Sequence, residues 1–573
     1  MRQLAAVSVA FGAGSQLSGC KLSHAQALSP TAFSFLHGVA SGDPWQDRVI
    51  LWTRVTPGEN VVVDDNTTLW VQWQVAHDRQ MQQIVTSGSV LTGAGQDFTV
   101  KVDAAGLQPG QEYFYRFTLA PEGGASVAAR HSIVGRTKTL PADDVEKVRL
   151  AVFTCSNYPA GYFNVFADAA KQGGFDVALH LGDYIYEYEA DGYACDLAQK
   201  LGRVSQPENI LLDLDDYRTR YAQYRSDPDL QALHAQVPFI CVWDDHEFAD
   251  DTWRDGSADH NSLMQGPFSL RRAAAMQAYH EWLPIRTAEI DKIYRSFNFG
   301  QVLSLYMLDT RVVGRDQQLQ FSSYCNSDGK LDLASLRRDA HSPQRQMLGK
   351  EQFAWLEQEV EKSSARWQVL GQQVLMARME FPLPVALGKV DRFSYAAACV
   401  RSREANAVAD DEILLAREKA WLSAPRVPCY LDSWDGYQAE RERVFSLMQK
   451  LHKNLVVLAG DTHNAWAADL QDHTGRAVGV EFAAPSVSSP GLECSYPEIA
   501  PQKVANAMCD MIPALRYAQT SLRGYMIIEA DSEEVRCDWR FVDTVHHRNF
   551  QAETKHRMRV IAGQRKLTDI PKQ

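Results

Sequence analysis

The sequence predicts a two-sheet α/β sandwich preceded by an all-β sandwich. Three observations carry this expectation. From residue 148 onward, apolar strand-like runs alternate with helical segments, the pattern of an α/β core. These strands lie too close together for one doubly wound sheet, so two sheets are expected. Ahead of them, residues 31–140 show β-rich runs punctuated by Gly and Pro.

Composition frames the function. The chain has 573 residues and a net charge of −13, with 45% hydrophobic and 23% charged residues. That is ordinary for a soluble globular protein and leaves chain enough for several domains. After the N-terminal segment, no stretch is long and apolar enough to span a bilayer. The acidic balance weighs against a nucleic-acid-binding module or an anionic membrane as partner. It also means that an anionic substrate needs local cations, for which metal ions are the natural source. Ten cysteines are scattered without a CxxC pair, which argues against a zinc ribbon. If the chain is exported, some of them can pair. Cys155 and Cys241 sit in or beside apolar runs and read as buried thiols.

Residues 1–27 read as an export signal: Arg2, an apolar small-residue run over 4–14, then two competing cleavage patterns. Leu17-Ser18-Gly19-Cys20 has lipobox character and would leave a lipid anchor on Cys20. Ala25-Gln26-Ala27 fits an ordinary cleavage site. A single Arg is not a twin-arginine signal. The β domain covers 28–140, with strands at 49–52, 69–75 and 113–117. Its stretch from Leu107 to Tyr113 resembles the turn and strand start of fibronectin or immunoglobulin-like sandwiches, where a Tyr packs into a corner. A linker with Pro141 follows, and the main domain runs over 147–550. Strands are expected at 148–153, 175–179, 237–243, 297–308, 367–376 and 455–459. Helices are expected at 165–171, 213–226, 270–283, 346–363 and 441–451. Residues 480–550 return to strands, and the polar, basic 551–573 are expected to be a mobile tail.

Potential ligands sit at four strand ends. They are Cys155 with Asn157, Asp183 with Tyr186, Asp244-Asp245-His246-Glu247, and Asp461 with His463. In an extended segment, Asp461 and His463 point to one side. Adjacent carboxylates at 244 and 245 repel unless a cation neutralises them, and His246 beside them can give or take a proton. Each motif alone also suits a plain turn or helix cap. Four in one α/β region favour a shared metal site.

The order Phe-x-Cys155, His180-Leu-Gly-Asp-Tyr-Ile-Tyr186, Trp243-Asp-Asp-His-Glu247 and Gly460-Asp-x-His-x-x-Trp466 resembles the PhoD-type alkaline phosphatases and phosphodiesterases. These belong to the calcineurin-like metallophosphatases. Further matches are His37-Gly-Val-Ala-Ser-Gly-Asp-Pro44, Leu308-Asp-Thr-Arg311, Met347-Leu-Gly-Lys-Glu-Gln352 and Ser433-Trp-Asp-Gly-Tyr437. The resemblance implies a β-sandwich joined to a two-sheet α/β sandwich of the metallophosphatase type, with metals at the strand ends. It implies that Cys155, Asp183, Tyr186 and His463 hold Fe(III), with Asp183 bridging to calcium beside Asp245 and Asp461. His246 would act on the reacting phosphate. A second Ca2+ falls to Asp250 and Asp251 only if they replace the Asn common in relatives. The implied reaction is hydrolysis of phosphate mono- and diesters by water activated on the metals, without a covalent enzyme intermediate.

The residues are consistent with that chemistry. Thiolate, phenolate and carboxylate donors suit a trivalent ion, and carboxylate oxygens suit calcium. Arg311 either clamps a phosphate or forms a buried ion pair with Asp309 or Asp435. Asn157 is a candidate substrate contact. An exported monomer acting on a phosphate ester is the leading expectation. The alternatives are a phospholipid or teichoic-type diesterase with the same site, and a non-catalytic surface protein with structural metals.

Overall fold

The computed structural model describes residues 32–120, 129–286, 288–327, 330–408 and 414–571. Residues 1–27, expected to be an export signal, and Cys20 within them lie outside the described residues. Two large sheets form the frame. One has ten strands, in the spatial order Leu567–Asp569, Ala552–Ile561, Glu534–Val542, Gly524–Ala530, Val148–Phe153, Val177–His180, Phe239–Cys241, Val39–Gly42, Arg48–Arg54, Thr99–Ala105. The other has seven: Arg295–Phe299, Leu303–Met307, Trp367–Gly371, Asn454–Ala459, Ala477–Ala483, Ala465–Gln471, Leu515–Gln519. One apolar cluster joins their inner faces, including Val152, Leu179, Met526 and Trp539 from the first sheet and Val456, Leu458, Val480 and Phe482 from the second.

Each sheet has a parallel centre. Val148–Phe153, Val177–His180 and Phe239–Cys241 run side by side in parallel. So do Leu303–Met307, Trp367–Gly371, Asn454–Ala459 and Ala477–Ala483. Such strands are covered on both faces, which is why they read as continuous apolar runs. Local chemistry sets the helix between the second and third strands. Asp213 caps Leu214–Arg225 in a reciprocal box with Asp216.

The N-terminal segment is a sandwich, but not a free-standing one. Its own sheet contains Gly135–Lys138, Glu112–Leu119, Thr68–Ala76 and Ile84–Gly93. Its opposing layer is the end of the ten-stranded sheet, with Val49 and Leu51 packed in one core with Val71, Tyr115 and Phe117. Tyr113 is buried, and its hydroxyl accepts the Gln108 N–H at 2.8 Å. The His37–Pro44 motif is the seam. A Cβ on Gly42 would stand 2.3 Å from Pro284 O and 2.5 Å from Phe239 O. Asp43, fully buried, takes two bonds of 2.7 Å from Arg295 and another from the Arg286 amide.

Several expectations are corrected. Residues 297–308 are not one strand but part of the hairpin Arg295–Phe299 and Leu303–Met307. Gly300 turns it at φ +54°, where a Cβ would meet Ala142 O at 2.6 Å. The tail expected over 551–573 is instead strand Ala552–Ile561, paired with Glu534–Val542 along its length, and then Leu567–Asp569. Its charges alternate with Met558 and Val560, which face the core. Helices Arg392–Val408 and Pro501–Met511 were not anticipated. Nine cysteines are unpaired among the described residues.

Replacing Asp43 with Ala strands the Arg295 guanidinium at the seam, which should cost about 3–5 kcal/mol. Urea unfolding of the full chain measures this; a loss below about 1 kcal/mol would show that the seam does not need the pair.

Candidate metal centre

The four ligand-bearing turns all leave the carboxyl ends of parallel strands. Cys155 follows Val148–Phe153, and Asp183 and Tyr186 follow Val177–His180. Asp245 and His246 follow Phe239–Cys241; Asp461 and His463 follow Asn454–Ala459 in the other sheet. Because the sheets pack face to face, these turns converge.

Two glycines let them touch. A Cβ on Gly182 would stand 2.3 Å from Asp244 Cβ, and one on Gly460 would stand 2.4 Å from Thr154 Oγ1. The Glu247 carboxylate then accepts the N–H groups of Asp183 (3.0 Å), Tyr184 and Asp244 (2.6 Å), fastening two turns together. Burial pushes the Glu247 carboxyl up to about 8. Four prospective ligands adopt left-handed backbone: Cys155 (φ 59°), Asp183 (54°), Asp461 (66°) and His463 (61°). For residues with a side chain this conformation is strained and is held only by its surroundings.

Donor atoms of Cys155, Asp183 and His463 lie within 4.8 Å of one another. The Tyr186 hydroxyl donates to Asp183 Oδ2 at 3.1 Å and sits 3.1 Å from His463 Nε2. His463 Nδ1 lies 2.9 Å from the Pro490 carbonyl, so that nitrogen carries the hydrogen and Nε2 offers its lone pair inward. Burial, aided by His246, pushes the imidazole down to about 3, so it is neutral as a ligand must be. Burial also drives the Cys155 thiol and the Tyr186 phenol well up, with Asp183 adding to both.

Three further groups adjoin this one: Asp183 with Asp245 and His246, Asp244 with Asp245 and Asp461, and Asp245 with Asp250 and Asp251, each within 4.8 Å. Burial raises Asp183 and Asp461 well above the usual carboxylate range and brings Asp244 to about 7. At Asp245, burial is outweighed by Arg311 and then His246, which bring it to about 2. His246 goes the other way. Burial disfavours its charge, but Glu187, Asp245 and Asp183 raise it well above the ordinary value. Asp183 Oδ1, Asp244 Oδ2 and Asp245 Oδ1 are buried without a hydrogen-bond donor. Buried carboxylate oxygens without donors fit cations at this place.

Comparison with known proteins identifies the family. The family model for PhoD-like phosphatases matches residues 150–539, and its N-terminal-domain model matches 20–141. Alkaline phosphatase D of Bacillus subtilis (strain 168) is 34% identical over 476 residues, covering 80% of this chain and 70% of that one. The chain belongs to the PhoD-like phosphatase family. It is a phosphoric ester hydrolase. A solved structure of PhoD superposes with a TM-score of 0.73 at 30% identity, covering 95% of this chain and 93% of that one. A purple acid phosphatase from yellow lupin seeds aligns with a TM-score of 0.47 at 11% identity, over 90% of this chain and 73% of that one.

In this PhoD-like site the structure brings together Cys155, Asp183, Tyr186, Asp245, His246, Asp461 and His463. It does not bring Arg311 or Asn157 to an open cleft; both are fully buried. Arg311 donates to Asp244 through Nε, to Asp432 at 2.7 Å and to Asp461 at 3.1 Å, and it stands 3.5 Å from Asp245. Its carboxylate partners are therefore neither Asp309 nor Asp435. Asp309 instead accepts the backbone N–H of Arg311 at 2.8 Å, and Asp435 pairs with Arg441. A phosphate clamp at Arg311 is replaced by an internal counter-charge that holds the carboxylate turns.

Glu187 and Asp432 are not among the residues that the sequence singles out, and Glu247, singled out as a potential ligand, instead fastens two turns. Glu187 Oε2 lies 2.9 Å from His246 Nδ1, and its Oε1 accepts the Asp250 N–H at 2.7 Å. Its signal is a carboxyl one residue after Tyr186, directly behind the motif His180–Tyr186. Asp432 had no such signal beyond its place before Ser433-Trp434.

Bound cations should stabilise the fold, by about 2.7 kcal/mol at a hundredfold excess over Kd. Adding Ca2+ or Fe(III) to chelator-treated protein should raise Tm, and Asp183→Asn should weaken that response. A Tm indifferent to both ions would contradict a metal site here.

Proposed function

We propose that the chain hydrolyses phosphate mono- and diesters at a centre in which Cys155, Asp183, Tyr186 and His463 hold Fe(III), and Asp183, Asp245 and Asp461 hold Ca2+. The observation that carries this reading is the convergence of those donors around carboxylate oxygens lacking donors. Thiolate and phenolate beside a carboxylate and a neutral imidazole suit a trivalent ion, whereas the oxygen-only neighbours suit a hard divalent one. Asp250 and Asp251 complete an oxygen-only group with Asp245 that suits a second Ca2+. Bound there, the metals would supply Lewis acidity and an activated water.

The chain's own groups do the rest. Glu187, Asp245 and Asp183 favour the protonated form of His246. Its ring stacks on Tyr186 with centroids 4.3 Å apart. Glu187 fixes Nδ1, which leaves Nε2 to donate a proton to the leaving alkoxide or to a phosphoryl oxygen. Ser489, buried beside the centre, donates its hydroxyl to the Tyr186 oxygen at 2.7 Å and orients the phenol. We also propose export, supported by the apolar run and cleavage patterns within residues 1–27.

Asp183→Asn should abolish turnover of aryl phosphates, and Tyr186→Phe should remove the charge-transfer colour that a ferric phenolate gives. A colourless, iron-free preparation that is fully active would overturn the iron assignment. Glu187→Gln should lower kcat by about 10–100-fold, as loss of a group that orients a catalytic His does. The double change with His246→Asn should be little worse than His246→Asn alone. Full additivity of the two would separate Glu187 from His246. Comparing an aryl phosphate with its bis-aryl diester then ranks mono- against diesterase activity.

A further inference from the structure

An apolar cavity of about 440 Å³ opens against the turn that carries Asp461 and His463. Its walls come from Leu375, Met379 and Phe381 after strand Trp367–Gly371, and from Leu492, Tyr496 and Met508 before strand Leu515–Gln519. Two polar groups that line it are already hydrogen-bonded within the protein. Trp466 Nε1 donates to Thr462 Oγ1 at 2.8 Å, and Asn464 Oδ1 accepts the Leu492 N–H at 3.1 Å. Arg392 also lines the cavity, with its guanidinium 4.5 Å from the Tyr496 ring centre and 5.6 Å from that of Phe381. It has no carboxylate partner among the described residues.

A mostly apolar cavity of this size, with a few polar groups at one end, is the usual build of a small-molecule subsite. Here that end belongs to the prospective ligand cluster itself. Asp461 and His463 line the cavity and also belong to the cluster, so the cavity adjoins the place where a phosphate would be held. Phe381, Arg392 and Met508 come from ribbon Glu380–Pro382, helix Arg392–Val408 and helix Pro501–Met511, and apart from Trp466 the lining residues lie outside the strands of the two sheets. They can vary without moving a ligand-bearing strand.

We infer that this cavity receives the organic substituent of the phosphate ester, and that the enzyme prefers esters whose substituent is apolar. The inference rests on the hydrolase reading above and adds the substrate class. Phe381, Leu492 and Tyr496 are then specificity-determining residues, and Arg392 braces the aromatic wall by cation–π contact.

The test uses the metal-loaded full chain and three esters with similar primary-alkoxide leaving groups: benzyl phosphate, n-hexyl phosphate and glycerol 1-phosphate. Wild type should favour the two apolar esters in kcat/KM. Phe381→Ala with Tyr496→Ala should reduce that preference about tenfold, the scale set by losing contacts in an apolar pocket. Leu492→Trp fills the cavity instead of enlarging it and should reduce the preference as well, which guards against a poorly folded double variant. A preference that is absent in wild type, or unchanged in both variants, overturns the inference. Benzyl against hexyl separates aromatic from aliphatic recognition. A wild type that turns over none of the three while binding its metals would instead overturn the hydrolase reading.

Discussion

The site depends on two side chains that bind no substrate. The Glu247 carboxylate gathers the N–H groups of Asp183, Tyr184 and Asp244, so the second and third turns of the ten-stranded sheet move as one body. Gln373 does the same between sheets. Its Nε2 donates to Trp243 O at 2.6 Å and Leu308 O at 3.0 Å, its Oε1 accepts from Thr310 Oγ1 at 2.6 Å, and its carbonyl accepts the Gly460 N–H at 2.6 Å. One carboxylate and one amide thus fix turns that lie hundreds of residues apart along the chain. Buried polar groups satisfied in this way hold a single arrangement, because any other leaves donors or acceptors unpaired.

Arg311 answers a different problem. Asp244, Asp245, Asp432 and Asp461 would repel one another if ionised together, and burial magnifies that repulsion. A guanidinium among them supplies one positive charge and a rigid set of donors. It does not balance the whole cluster, since Asp183, Asp250 and Asp251 stand around the other side. Asp183 Oδ1, Asp244 Oδ2 and Asp245 Oδ1 are left without donors, which fits cations at this place.

Much of this was legible in the sequence, and the rest failed for identifiable reasons. The helix expected at 213–226 is Leu214–Arg225, within a residue at each end, and the structure adds the Asp213–Asp216 box that starts it. The ligand turns were read because an apolar run ending in Gly or Asp carries its own signal. The strand Ala552–Ile561 was misread, although Lys555, Arg557 and Arg559 alternate with His556, Met558 and Val560. Abundant charge hid a period of two. Glu187 and Glu247 were visible as letters but not as partners, since their contacts span about 60 residues of chain. Left-handed backbone at Cys155 and His463 had no signal at all, because tertiary contacts impose it on residue types that do not favour it.

The seam at Asp43 bears on how the two regions of the chain can be separated. The three strands that the N-terminal segment lends to the large sheet cover the flank of Phe239–Cys241, a fully apolar strand whose next residues carry Asp244 and Asp245. Trimming them away would leave a bare hydrophobic margin with open N–H and C=O groups, a template for intermolecular β pairing. The leading sandwich thus also shields the edge of the strand that leads to Asp244 and Asp245.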